Sequence, residues 1–403
     1  MRFSNNFLIG LMAAMSLPGT ACAGSLNSAF KNGTVNGNIR AYYFTRDFET
    51  RTNEHAFSLG GALRAETGEW GIVKFGLGYY TAQDLGTNNS NPAKVNRRLG
   101  EDLEVLGEAY IKASLADTTL TLGRQKINTP FANPGDAFMI PFTFDGVSIK
   151  NKSISNLTLE MDYVNEIKNR NSDEFVDVGR FATNRFGVPV TGTSGTLMIG
   201  GVYKINSLKF AAWLYNHDEL FNTLYLQTDY SFAASGDLKP FIGVQFARQG
   251  DTGNELLGEV DSTLYGIRGG ASFGKAKLTL AYNSVSEEKD SFRNGAFLAP
   301  YNFSTSPLFT NNQLSTVENV DSGDAIKLTF NYNFPTPKLA FKLSYAVFDF
   351  DSAVDREATD VDVTYTMDDI VKGLSARWRL EVVTADSARV EQINHRFQLQ
   401  LKF

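Results

Sequence analysis

From Phe397 to Phe403 the chain alternates without a break: Phe397, Leu399, Leu401 and Phe403 are apolar, and Gln398, Gln400 and Lys402 are polar. A period of two places these two sets on opposite faces of a β-strand. The same period recurs along most of the sequence. Val35, Ile39, Ala41 and Tyr43 share one face of a first segment, Phe57, Leu59, Leu63 and Ala65 of a second, and Val73, Phe75, Leu77 and Tyr79 of a third. Val105, Ala109, Ile111 and Leu115 are assigned to one face of a fourth. The pattern continues through Leu157-Leu159-Met161-Tyr163, Leu208-Phe210-Ala212-Leu214, Ile326-Leu328-Phe330-Tyr332 and Leu374-Ala376-Trp378-Leu380. About eighteen such strands can be counted.

The connections alternate short and long. Ala116-Asp117, Asn206-Ser207 and Gly274-Lys275 are tight, whereas Gln83 to Asp102, Ile127 to Asp145, Glu166 to Gly195 and Glu287 to Ser322 are long. A soluble sandwich has no reason to sort its loops by parity. A transmembrane antiparallel up-and-down barrel does, with short periplasmic turns and long external loops. No fixed-length repeat supports a solenoid, and no stretch of about 18 apolar residues follows the first segment. Aromatic clusters such as Tyr42-Tyr43-Phe44, Tyr79-Tyr80 and Phe348 with Phe350 are expected to form interfacial girdles.

Residues 1–23 read as an export signal: Arg2, an apolar run from Phe7 to Leu17, then Pro18, Gly19 and the small-residue site Ala21-Cys22-Ala23. Cleavage there removes the only cysteine. The lipoprotein alternative would want a leucine-like residue where Gly19 stands. Residues 24–403 then form a single barrel in a Gram-negative outer membrane, with lipid, lipopolysaccharide and the barrel-assembly machinery as partners and Phe403 as the assembly signal. A monomer or loose oligomer is expected. A formal net charge of −6 argues against a nucleic-acid partner, so electrostatic function must come from local placement of the 38 Lys and Arg residues.

Enzymatic motifs are absent: there is no Gly-x-Ser-x-Gly elbow, no phosphate-binding loop and no His-Glu-x-x-His. His55, His217 and His395 lie far apart in sequence. No catalytic residue, cofactor or metal ligand is therefore expected. Asp349, Asp351, Asp355, Asp360 and Asp362 form an acidic cluster that could hold calcium, although a solvated loop explains it as well.

Turning the apolar parity outward leaves a pore lining. Later strands contribute Arg268, Lys277, Lys327, Lys342, Arg377, Arg379 and Arg396, and closure brings Arg40, Arg64 and Lys74 beside them as a basic ladder. An opposing acidic wall is expected from Glu104, Glu108, Glu160, Asp162 and Asp229. Opposed charges in a narrow lumen focus a transverse field, and a row of cations offers an anion successive sites.

Asn38-Ile39-Arg40-Ala41-Tyr42-Tyr43-Phe44-Thr45-Arg46-Asp47 resembles the opening strand of the OprD-type porins, the substrate-selective carboxylate channels of Gram-negative outer membranes. Gly107-Glu108-Ala109-Tyr110, Leu122-Gly123-Arg124-Gln125 and Thr129-Pro130-Phe131-Ala132-Asn133-Pro134-Gly135-Asp136 resemble that family's passage into its third external loop, and Pro141, Phe144 and Gly146 continue the match. The resemblance implies eighteen strands, a third loop (about 127–145) folded into the lumen and a seventh loop narrowing the eyelet. It also implies a basic ladder guiding carboxylates. Phe131, Asp136, Phe138 and Pro141 would shape the constriction; Phe138 stands where the family commonly has arginine, making this eyelet more apolar. The expected function is passive diffusion of small hydrophilic, carboxylate-bearing solutes such as amino acids or organic acids. The alternative is a plugged structural or adhesive barrel acting through its external loops.

Overall fold

A computed structural model describes residues 25–135, 137–301 and 305–403. The expected export signal and Asp136 lie outside them. A short helix, α1 (Leu26–Lys31), precedes β1 (Thr34–Phe48), β2 (Glu54–Glu66), β3 (Val73–Gln83), β4 (Leu103–Leu115), β5 (Thr118–Gln125), β6 (Thr143–Asn151) and β7 (Leu157–Lys168). The short β8 (Phe175–Asp177) leads into α2 (Val178–Phe186). There follow β9 (Thr196–Ile205), β10 (Leu208–His217), β11 (Phe221–Ser231), β12 (Leu238–Asp251), β13 (Asp261–Phe273) and β14 (Ala276–Val285). The last five strands are β15 (Gly323–Phe334), β16 (Leu339–Phe350), β17 (Arg356–Thr366), β18 (Leu374–Ala385) and β19 (Gln392–Lys402).

Each strand pairs antiparallel with its neighbours, β7 passes directly to β9, and β19 returns to β1, closing a barrel of 18 strands with β8 as an extra. Barrel strands run from 8 to 15 residues, the length needed to cross a hydrocarbon layer when tilted. Closure leaves no edge and satisfies the backbone between strands, which is what hydrocarbon demands. Connections at one end have two to seven residues, and the long segments 84–102, 126–142, 169–195 and 286–322 all lie at the other end. Val35, Ile39, Leu63, Leu77, Leu214, Ile267, Leu280, Leu328 and Leu399 are exposed on the outer wall. Such a band of apolar surface suits lipid, not water.

Two departures from simple alternation matter. Between β3 and β4 the register passes from Gly78 opposite Glu108 to Tyr79 opposite Leu106, leaving Gly107 as a one-residue bulge. A Cβ at Gly107 would lie 2.5 Å from the Tyr80 ring, so the bulge needs glycine. An extra residue reverses parity beyond it. Val105 is therefore buried inside, while Leu106 is 42% exposed outside. The expected outward placement of Val105 and inward placement of Glu104 are both corrected by this bulge.

The second departure concerns the aromatic residues. Tyr43 and Tyr79 face outward, but Tyr42, Phe44, Tyr80, Phe348 and Phe350 are buried within the barrel rather than forming a girdle. They have partners there because the long loops fold inward. One apolar cluster joins loop residues Phe131, Phe181, Phe186, Phe297 and Tyr301 to wall residues Phe144, Ile167, Trp213, Tyr215, Tyr225 and Phe348. A smaller one joins Phe138, Met139 and Ile140 to Tyr42, Phe44, Tyr80 and Val105. Asp177 caps α2 by accepting from the Arg180 amide at 2.8 Å, and Gly187 ends it at φ 77°, so this loop helix presents Phe181 and Phe186 to the larger cluster.

Candidate functional site: the lumen and its eyelet

Segment 126–142 enters the barrel and its tip reaches the β1 wall, where Arg40 donates to the Phe138 carbonyl at 2.5 Å and Tyr42 to the Ala137 carbonyl at 2.9 Å. Beneath it lies a cavity of about 370 Å³ whose lining includes Arg40, Arg64, Tyr80, Lys126, Phe138 and Pro141. Phe131 does not reach this opening. Its ring sits 5.0 to 5.7 Å from Tyr225, Phe297 and Tyr215, inside the larger apolar cluster. It anchors the loop and does not line the eyelet.

Segment 286–322 lies along the wall from β12 to β18. The amide of Gln313 donates to Asp360 at 2.9 Å, and those of Leu314 and Ser315 donate to Glu381 at 3.0 and 3.1 Å. Asn133 joins the two loops by donating to the Thr305 carbonyl at 3.0 Å. The acidic cluster does not converge: Asp360 holds this loop, Asp362 pairs with Arg377, Asp355 accepts from the Phe350 amide and Asp349 points outward. No group of three metal-ligating side chains occurs among the described residues.

Arg40, Arg64, Lys74, Arg268, Lys277, Lys327, Lys342, Arg377, Arg379 and Arg396 occupy inward positions of their strands, but they fall into different chemical situations. Several are paired: Arg64 with Glu108 at 2.6 Å, Arg268 with Asp229 at 2.5 Å, Arg377 with Asp362 at 2.5 Å and Lys74 with Glu66 and Glu69, each at 3.9 Å. Lys327 is buried and donates to the Asn311 carbonyl, so it holds the 286–322 loop. Lys277, Lys342 and Arg377 line a second cavity of about 500 Å³ with Asp362 and Asn331.

The acidic residues do not form a wall opposing these cations. Glu108 lies between Arg64 and Lys126, the latter at 3.3 Å, and Asp229 neutralises Arg268. Glu160 meets Lys150 at 3.1 Å, and Asp162 is fully buried opposite Ser148. Glu104 is on the outer face, accepting from Gln83 at 3.3 Å, for the reason given by the bulge.

A different group stands out. Arg379 donates to the Tyr42 hydroxyl at 2.8 Å, and the Arg396 guanidinium stacks 4.5 Å from the centre of the Phe44 ring. Two loop residues join them: Arg98, and Arg170, whose guanidinium lies 4.8 and 4.9 Å from the ring centres of Phe138 and Phe142. None of these four has a carboxylate within ion-pair distance among the described residues. Burial, then the charges of Arg185, Arg396 and Arg98, push Arg170 down to about 9; burial and the repulsion of Arg396 push Arg98 down to about 10. Arg170 Nε and Nη1, Arg396 Nε and Nη2, and Arg379 Nε are buried without hydrogen-bond acceptors. Clustered unused donors of one sign form a receptor for an anion.

A closed barrel with inward-folded loops and a charged constriction defines an outer-membrane channel of the porin class. The model of the outer membrane porin, OprD family, matches residues 29–402, and the chain belongs to that family, one of channels and not of enzymes. Its place is the Gram-negative outer membrane. Among solved structures, OccAB3 of Acinetobacter baumannii is similar at TM-score 0.79 and 18% identity, covering 93% of this chain and 100% of that one. A BenF-like porin from Pseudomonas fluorescens Pf-5 gives 0.80 and 17%, covering 93% and 99%. Pseudomonas aeruginosa OccK2 (OpdF), solved in complex with glucuronate, gives 0.77 and 18%, again covering 93% and 99%. A comparison with curated proteins finds no match.

Proposed function

We propose that this porin passes small hydrophilic solutes carrying a carboxylate, by passive diffusion along the arc formed by β18, β19, β1 and β2. The observation that carries this reading is a set of arginines gathered beside the eyelet: Arg170, Arg379 and Arg396 are buried with donors left unused, and the half-buried Arg98 feels the charge of Arg396. A carboxylate accepts two guanidinium hydrogens at once and relieves their mutual repulsion, while the paired cations further along hold it less tightly. Successive sites of unequal strength let an anion enter and leave. The glucuronate bound by OccK2 is a carboxylate, which agrees with this substrate class. Phe138, which lines the cavity beside Arg40, supplies apolar surface for the uncharged part of the solute.

The adhesive alternative needs free external loops, yet much of segments 169–195 and 286–322 is buried inside the barrel. Planar-bilayer recording tests the choice. Replacing Arg379 and Arg396 together by glutamine should lower anion preference about tenfold, read from the reversal potential in a salt gradient. Unchanged preference removes the arginines from the route, and absence of discrete current steps in the wild type favours a plugged barrel.

A further inference from the structure

The eyelet segment is strung across the lumen by its main chain. On the β1 side its carbonyls at Ala137 and Phe138 are taken by Tyr42 and Arg40. On the β7 side, the Lys168 ammonium donates to the carbonyls of Pro141 and Asn169, each at 2.7 Å. Lys168 has no exposed surface. A buried ammonium is strongly unfavourable unless its donors are used, and these two carbonyls occupy two of its three. Its charge is thus accommodated only while the loop is seated. Arg170, two residues on, wedges against Phe138 and Phe142 and blocks retreat in the other direction.

We infer that Lys168 is a positioning residue for selectivity: it fixes how far segment 137–142 projects into the lumen, and so the largest solute that passes. The inference rests on the channel reading above. Lys168 is the informative member of the clamp because it holds the eyelet segment through the Pro141 carbonyl, with its own neighbour Asn169 as the second acceptor, and does not line the cavity, whereas Arg40 lines it and would touch a solute directly. Loss of the Lys168 bonds frees one end of the bridge and widens the opening without removing a cation from the arc.

The test is liposome swelling with carboxylates from acetate to glucuronate, alongside single-channel recording of the full-length barrel. In Lys168→Met the ratio of glucuronate to acetate rates should rise about threefold or more, and open-channel noise should increase, while anion preference stays at the wild-type value. Lys168→Arg should restore the ratio. Tyr42→Phe, which deletes one hydroxyl of the opposite clamp, should move the ratio the same way by less, and it decides the matter if Lys168→Met does not assemble into a heat-modifiable barrel. An unchanged ratio in the assembled variant overturns the inference but leaves the channel reading intact. A wild-type barrel without conductance overturns both.

Discussion

The lumen has two unlike sides. Along β6 to β17, loop aromatics meet wall aromatics in a packing that belongs to a soluble core: Phe131 against Tyr225 at 5.0 Å, Phe186 against Phe221 at 6.4 Å, Tyr301 against Phe144 at 6.1 Å. Along β18, β19, β1 and β2, arginines dominate and their donors are left over. Both sides obey the same inward parity. What differs is what the loops bring to them. A barrel of this strand number is too wide for wall side chains to fill, so its interior must be plugged or wet. Here one side is plugged by apolar loop surface, and the aqueous route is pushed against the other. The eyelet is narrow because loops fill much of the lumen, and on the proposed function its selectivity comes from the arginines of the remaining side.

This contrast can be broken at several points. Phe131→Ala should be the most damaging, costing about 3–5 kcal/mol because it opens a void among three rings. Urea unfolding in vesicles would show the loss, and anion preference in the surviving channels should not change. A Gly107→Val barrel should lose about 1–3 kcal/mol by the same measurement, because the added side chain collides with Tyr80 and pushes it from Glu108. Retained stability would mean the bulge is not where the strand register places it.

Arg170→Met should reverse the pattern: no loss of stability, since a buried unpaired charge is replaced by apolar volume, but a weakening of anion binding by roughly 1 kcal/mol. A shift in reversal potential without a shift in unfolding midpoint is the expected signature. Lys74→Gln should do least. Its partners lie at 3.9 Å and all three side chains are partly exposed, so less than about 0.5 kcal/mol and no change in selectivity are expected. A large effect there would show that the basic arc extends to the periplasmic mouth.

The outer wall was legible because lipid imposes one rule on it: Val35, Ile39, Leu63 and Leu399 are apolar because of the medium, whatever lies inside. The inner face answers to several neighbours at once, so its pattern is mixed. Tyr42, Trp213, Tyr215 and Tyr225 point inward in strands that a polar-inside rule would fill with charges, since their partners are loops distant in sequence. Glu104 was misplaced because period two carries no sign of a bulge, although Gly107 marks the spot. Arg98 and Arg170 were invisible for a related cause: they sit in aperiodic segments, where parity has no meaning. The capped helix α2 is signalled by Asp177 and Gly187, but nine residues inside a long loop give little periodicity to detect.

The seam where β1 meets β19 runs through the arginine-rich sector, with Arg40 reaching across it to Gln400 at 2.8 Å. On the proposed function, residues from both margins have to come together before a carboxylate finds its attractive track. Until those margins join, a partly inserted sheet has no selective conduit to offer. Sealing the cylinder and creating that discrimination would then be the same step.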